Sequence, residues 1–239
     1  MNPQTSYHDA VRLQTSVLSA AEKRLLIWIA TRLPTRVNSD HLTVLGAVGM
    51  LATGVSFAFS SYHPALLVAA VAGLAVNWFG DSLDGTVARV RNCQRPRYGF
   101  YVDHVLDTVG ILFLLAGLGL SGYMSPLVAT VLLAAYYMVS IEVYLATVAL
   151  HEFRMAFFKF GPTELRLVLV AGTIALYFKP TVMLAGRPFL LLDVGGVVAA
   201  AGLVTAFVFS AARNVRSLYR AEPLPTAEPL RPSPAGRPV

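Results

Sequence analysis

The 239-residue chain has one cysteine, Cys93, and charged residues make up only 13% of it. One thiol closes no internal disulfide and offers no zinc framework of the paired-cysteine kind. The five histidines are scattered without a His-Glu-x-x-His pattern, which argues against an imidazole metal site. An ordinary soluble domain carries roughly 25% charged residues, so the shortage here excludes that class. The polar opening, Met-Asn-Pro-Gln-Thr-Ser-Tyr-His-Asp, lacks the charged-then-apolar layout of a cleavable signal, and the expectation is that the N-terminus is retained.

What the chain has instead is apolar sequence: 56% of its residues are hydrophobic, with a mean hydropathy of +0.61. A membrane span needs about 20 mostly apolar residues to cross about 30 Å of hydrocarbon. Six runs approach that length: 42–60, 65–79, 101–120, 127–150, 165–178 and 189–209. They predict an all-α polytopic membrane protein with six transmembrane helices. The net charge of +6 and a pI near 9.7 could point to nucleic acid, but the positions of the basic residues point to a bilayer. Alternate connections hold 17 Lys and Arg residues against 2, the pair being Lys179 and Arg187. By the positive-inside rule both termini are expected in the cytoplasm.

Three segments follow. Residues 1–41 form an expected cytoplasmic N-terminal segment, in which His8 to Leu33 mixes apolar and basic residues at helical spacing and reads as an interfacial amphipathic helix closed by Pro34. Residues 42–220 form the six-span domain. Residues 221–239 hold six of the fourteen prolines and read as a disordered tail.

Residues 81–107 concentrate chemistry: Asp-Ser-Leu-Asp-Gly-Thr-Val-Ala-Arg, nine residues, then Gly-Phe-Tyr-Val-Asp-His-Val-Leu-Asp. On a helix, Asp81 and Asp84 share a face with the small Gly85 and Ala88, and Asp103 and Asp107 share a face of the next helix at i and i+4. At about 1.5 Å per residue both pairs lie near one cytoplasmic level. A short basic loop would turn the two helices antiparallel, bringing four carboxylates together at the edge of an apolar slab. That is costly unless they are compensated. Divalent metal is the simplest compensation, and an all-oxygen ligand set favours Mg²⁺ or Mn²⁺ over zinc. Two such ions about 3.5–4 Å apart would clamp a phosphate and its nucleophile. Gly85 and Ala88 then give clearance for a bulky ligand, and Arg89 a partner for its phosphates.

These residues resemble the signature of the CDP-alcohol phosphotransferase family, Asp-x-x-Asp-Gly-x-x-Ala-Arg, a spacer of about eight, then Gly-x-x-x-Asp-x-x-x-Asp. Asp81, Asp84, Gly85, Ala88, Arg89, Gly99, Asp103 and Asp107 fill every fixed position, with a spacer one residue longer. The family's Pro-x-x-x-Thr element has its counterpart in Ser39 to Thr43, with Ser in place of Pro. The resemblance implies an integral membrane transferase that moves a substituted phosphoryl group from a CDP-linked donor to an alcohol and releases CMP. It implies two divalent cations held by Asp81, Asp84 and Asp103, with Asp107 as a further ligand or the base. Gly85, Ala88, Arg89, Gly99 and Thr43 would border the nucleotide. The family also implies a homodimer.

The preferred donor is CDP-diacylglycerol, acting in phospholipid synthesis at the cytoplasmic face of a bacterial inner membrane; its acceptor would be a soluble alcohol such as glycerol phosphate, inositol phosphate or serine. Arg154, Arg166 and Arg213 end later spans on the cytoplasmic side and are candidates to hold an anionic acceptor. A CDP-aminoalcohol acting on diacylglycerol is the alternative, and a proton- or cation-coupled transporter using the same carboxylates is the alternative from another class. Glu142, inside the fourth run, would pair with Arg or line the cavity, and Thr163 or Glu164 would cap the fifth span. Gly117 to Gly122 matches a dinucleotide fingerprint in letters only, because it follows no strand.

Overall fold

A computed structural model of the chain describes residues 11–13, 19–150, 152–154, 162–222 and 224. The order of elements is β1 (Val11–Leu13), α1 (Ser19–Ala30), α2 (Ser39–Phe59), α3 (Leu66–Val90), α4 (Pro96–Leu120), α5 (Pro126–Leu150), β2 (Glu152–Arg154), α6 (Pro162–Phe178), β3 (Thr181–Leu184), β4 (Arg187–Leu190) and α7 (Leu191–Ala221). Helix starts follow local chemistry. Proline stands at the first position of α4, α5 and α6, where its missing N–H costs nothing and its fixed φ suits a helix. The α2 N-terminus is closed by a reciprocal cap: the Asn38 side chain accepts from the His41 N–H at 2.9 Å, and His41 Nδ1 accepts from the Asn38 N–H.

Five helices, α2 to α5 and α7, are long and apolar enough to cross a membrane. The fifth expected run lies in α6, whose 17 residues rise about 26 Å. Large apolar side chains point outward as well as inward, as lipid-facing helices require: Val68, Leu145, Val148 and Phe209 are all exposed. Inward, Phe57, Leu67, Ala70, Leu114, Leu115 and Leu118 join α2, α3 and α4 in one core. A smaller core of Leu26, Ala30, Leu42, Leu83 and Val87 docks α1 beside the acidic stretch.

The three central helices meet at seams without side chains. A Cβ on Gly80 would stand 2.5 Å from the Leu42 carbonyl oxygen, and one on Gly49 would stand 2.7 Å from the Asn77 nitrogen, so α2 and α3 touch backbone to backbone. Gly117 meets Gly54 in the same way and ties α4 to α2.

Two expectations change. The interfacial helix starts at Ser19 and not at His8: Val11–Leu13 instead pairs in parallel with Glu152–Arg154, and over so few residues an apolar-basic-apolar alternation serves a strand. The last apolar run begins its helix at Leu191, because Phe189 and Leu190 belong to a hairpin in which Thr181–Leu184 pairs antiparallel with Arg187–Leu190. Ala185 and Gly186 both have positive φ, the two-residue turn whose twist matches that of the strands. The tail expected over 221–239 lies outside the described residues, apart from its first positions.

Candidate active site

α3 and α4 run antiparallel around a five-residue turn in which Asn92 adopts the left-handed conformation. Asp81 and Asp84 stand near the end of α3, and Asp103 and Asp107 stand in the first half of α4. One carboxylate oxygen from each of Asp81, Asp103 and Asp107 lies within 4.8 Å of the other two, and all three side chains are half-buried. Two unit charges at that spacing repel by about 3.5 kcal/mol at an effective dielectric of 20. Such a cluster calls for positive charge, and part of it comes from α6: Arg166 Nη2 donates to Asp81 Oδ2 at 2.5 Å.

Asp84 lines the same cleft but is held apart from this trio by hydrogen bonds. Its Oδ2 accepts from the Thr43 hydroxyl at 2.7 Å, and its Oδ1 accepts from the Gly85 N–H. The Ser39 hydroxyl donates to the Asp84 carbonyl oxygen at 2.9 Å. The N-terminal turns of α2 therefore orient Asp84 through Ser39 and Thr43, the two ends of the Ser-x-x-x-Thr element.

The cleft is bounded by α2, α3 and α4, with Met50, Leu106 and Gly110 toward the apolar side. Asn77, one helical turn before Asp81, lines it as well. The Asn77 amide nitrogen donates to the Gly46 carbonyl at 3.0 Å, which fixes the orientation of the amide; its Oδ1 is buried without a hydrogen-bond partner. A buried orphan acceptor beside three carboxylates makes a donor set of hard oxygens, which suits a magnesium-like cation.

The other expected residues are spread around this centre. The space beside Gly85 is filled by the Arg89 guanidinium, 3.3 Å from where a Cβ would stand, and Arg89 donates to the Thr86 hydroxyl at 3.1 Å. Ala88 is half-buried, and Gly99 is exposed with open space where a Cβ would be. Arg213 reaches its neighbour Asn214, whose amide donates to the buried Glu142 at 2.6 Å; among the described residues Glu142 pairs with this amide and with no Arg. The Arg154 side chain lies outside the described residues. Thr163 spends its hydroxyl on Glu22, at 2.7 Å, and not on capping α6.

Sequence reasoning missed the α5 wall and the Asn77 amide. His104 stacks at 4.1 Å on Phe100 and meets Tyr144 edge-on at 4.9 Å, so α5 closes the flank of the acidic pair on α4. Asn77 was visible as an amide one turn from Asp81 inside an apolar run, a costly placement that signals use.

The residues 37–212 match the family described as CDP-alcohol phosphatidyltransferase. No curated protein matches the chain with significance. Among solved structures, the phosphatidylinositol phosphate synthase PgsA1 of Mycobacterium tuberculosis, crystallised with CDP-DAG bound, superposes with a TM-score of 0.56. It is 21% identical, over 82% of this chain and 94% of that one, and this likeness concerns the fold. With its five apolar helices, its acidic cleft and a family match across most of its length, the chain belongs to the CDP-alcohol phosphatidyltransferase family as an integral membrane transferase.

Proposed function

We propose that the protein transfers the phosphatidyl group of CDP-diacylglycerol to the hydroxyl of a small anionic alcohol, releasing CMP, as a step of phospholipid synthesis. The observation that carries this reading is the convergence of Asp81, Asp103 and Asp107 with Arg166 held against Asp81. Carboxylates suit cation-bridged phosphates, and a guanidinium at their edge suits a second phosphate arriving on the acceptor.

Asp81, Asp84 and Asp103 would hold two divalent cations, Mg²⁺ or Mn²⁺, with Asp107, which lies within 4.8 Å of Asp81 and Asp103, as a further ligand or the base. When bound, these would neutralise the donor's pyrophosphate and polarise its phosphorus for attack. Thr43 fixes the carboxylate of Asp84, and Arg89, above the small Gly85 and Ala88, faces the phosphates; Gly99 leaves room for the nucleotide. The acceptor oxygen attacks the phosphorus that carries diacylglycerol. A new P–O bond forms, the bond to the CMP oxygen breaks with its electron pair, and the hydroxyl proton passes to an Asp107 carboxylate oxygen. Arg166 orients the acceptor's phosphate, and Arg154 and Arg213 remain further candidates from the sequence for an anionic acceptor. With α6 counted as a sixth span, the 17-to-2 charge asymmetry supports a reading in which both termini and the cleft face the cytoplasm, and the membrane of this reading is a bacterial inner membrane.

Purified protein with labelled CDP-diacylglycerol, Mg²⁺ and a panel of glycerol phosphate, inositol phosphate and serine tests the proposal. The expected result is CMP release that depends on one of the phosphorylated alcohols. Release with serine alone would overturn the acceptor class. Absence of CMP with every acceptor, and likewise with CDP-aminoalcohols and diacylglycerol, would overturn the reaction and leave a transporter.

A further inference from the structure

Glu22 stands in the first turn of α1, outside the signature and outside the cleft. A single oxygen of its carboxylate, Oε1, accepts two hydrogen bonds: from the Trp78 indole N–H at 2.8 Å and from the Thr163 hydroxyl at 2.7 Å. Trp78 lies on α3, three residues before Asp81. Thr163 lies in the first turn of α6, three residues before Arg166. Residues three apart share a helix face, so each donor projects from the same side of its helix as one partner of the Arg166–Asp81 pair.

α1 is itself well anchored. Leu26 and Ala30 pack on Leu42, Leu83 and Val87, and beyond its end Arg91, the residue that follows α3, donates to the Leu33 carbonyl at 3.0 Å and to that of Pro34 at 3.1 Å. Its outer face exposes Leu25, Ile27 and Trp28, the layout of a helix seated at a bilayer surface. A carboxylate held this firmly is a fixed post. Two neutral donors converging on one ionised oxygen make charge-assisted bonds, about twice as strong as neutral ones.

We propose that Glu22 is a positioning residue for Arg166: by joining the first turn of α6 to α3 it holds the guanidinium at Asp81 and so shapes the acceptor side of the cleft. This rests on the reading of Arg166 as the group that meets the acceptor's phosphate. The interfacial helix then serves the reaction as well as the membrane, since the post stands on a helix that also exposes Leu25, Ile27 and Trp28.

Full-length Thr163→Val, Glu22→Ala, Glu22→Gln and the Thr163→Val/Glu22→Ala pair test the proposal. Each is assayed for KM of the phosphorylated acceptor, KM of CDP-diacylglycerol, kcat and thermal midpoint. Thr163→Val and Glu22→Ala are expected to raise the acceptor KM about tenfold, the loss typical of one hydrogen bond to a charged group, while donor KM stays within about twofold. Glu22→Gln keeps an acceptor oxygen and is expected to stay within about threefold of wild type. The double variant is expected to be no worse than Glu22→Ala alone, because both cut the same link.

A lower midpoint with an unchanged acceptor KM in Thr163→Val, or additive effects in the pair, overturns the proposal. So does Glu22→Gln failing as badly as Glu22→Ala. If Glu22→Ala does not fold, Thr163→Val and Glu22→Gln still decide. Mn²⁺ titration followed by electron paramagnetic resonance separates this proposal from the reaction itself. Even in a protein that releases no CMP, loosening Arg166 from Asp81 is expected to tighten Mn²⁺ binding severalfold in Thr163→Val, and unchanged Mn²⁺ affinity overturns the tie.

Discussion

Asp103→Asn separates a cation site from an ordinary ion-pair network, because it pushes stability and activity in opposite directions. Asp103 belongs to two of the three close carboxylate pairs in a cluster no wider than 4.8 Å. At about 3.5 kcal/mol for each pair at an effective dielectric of 20, its charge costs the cation-free fold about 7 kcal/mol before screening. The side chain is 33% exposed, so water and salt remove more than half of this, and the attraction of Arg166 offsets a further part. About 2 kcal/mol remains. The amide keeps the shape of the carboxylate and removes the repulsion. For a chain of this size 1 kcal/mol moves the midpoint by about 2–4 °C, so in EDTA the variant is expected to melt about 4–8 °C higher than wild type. With Mg²⁺ the order reverses: wild type gains by mass action from the bound cation, the variant gains little, and its turnover is lost. Scanning fluorimetry in detergent, with EDTA and with a Mg²⁺ series, reads both arms. A variant that melts lower than wild type in EDTA, or keeps the full Mg²⁺ shift, would refute the electrostatic argument.

Three further outcomes follow from the same geometry. Asp84→Asn removes a charge oriented by Thr43 and Gly85 and is expected to reduce CMP release at least about a hundredfold while membrane insertion and elution volume stay unchanged; near-normal turnover would remove Asp84 from the cation set. Arg166→Gln is expected to raise KM for a phosphorylated alcohol about tenfold or more with donor KM little changed, measured with glycerol phosphate and inositol phosphate in parallel. Gly80→Val places side-chain atoms on the Leu42 carbonyl and is expected to cost about 1–3 kcal/mol or more of stability, as overpacking does, read as a lower thermal midpoint with loss of the monodisperse peak in size-exclusion chromatography.

Local chemistry was legible in the sequence. The meeting of Asp81 with Asp103 and Asp107 was readable because a helix converts spacings of three and four into shared faces, and the short turn between α3 and α4 returns the chain to one level. The start of α4 was less legible: the helix opens at Pro96, five residues before the apolar run at 101, because its first turns are polar and basic. What escaped depends on distant partners. Glu22 meets Trp78 across 56 positions and Thr163 across 141, and no periodicity reports such a meeting. The β3–β4 hairpin escaped because its turn, Ala185-Gly186, has glycine at only one of the two positions that need positive φ. Strand β1 escaped because three residues of alternation are too few to outweigh the helical spacing around them. Asp84's separation from the other three acids depends on Thr43, whose hydroxyl could have turned to solvent as easily as to Asp84 as far as spacing tells.

Where α2 and α3 touch at their glycines, the two helices behave as one plank, since no side chain lies between them to slide or repack. An enzyme engineer inherits an asymmetry from this. At Gly49 and Gly80 that plank tolerates almost no redesign, because a Cβ there strikes the backbone of the other helix. The opposite wall, carried by α6 and secured through a few polar links, can be exchanged piecemeal, so under the proposed function a new choice of alcohol would be grafted onto α6 while the glycine seams are left untouched.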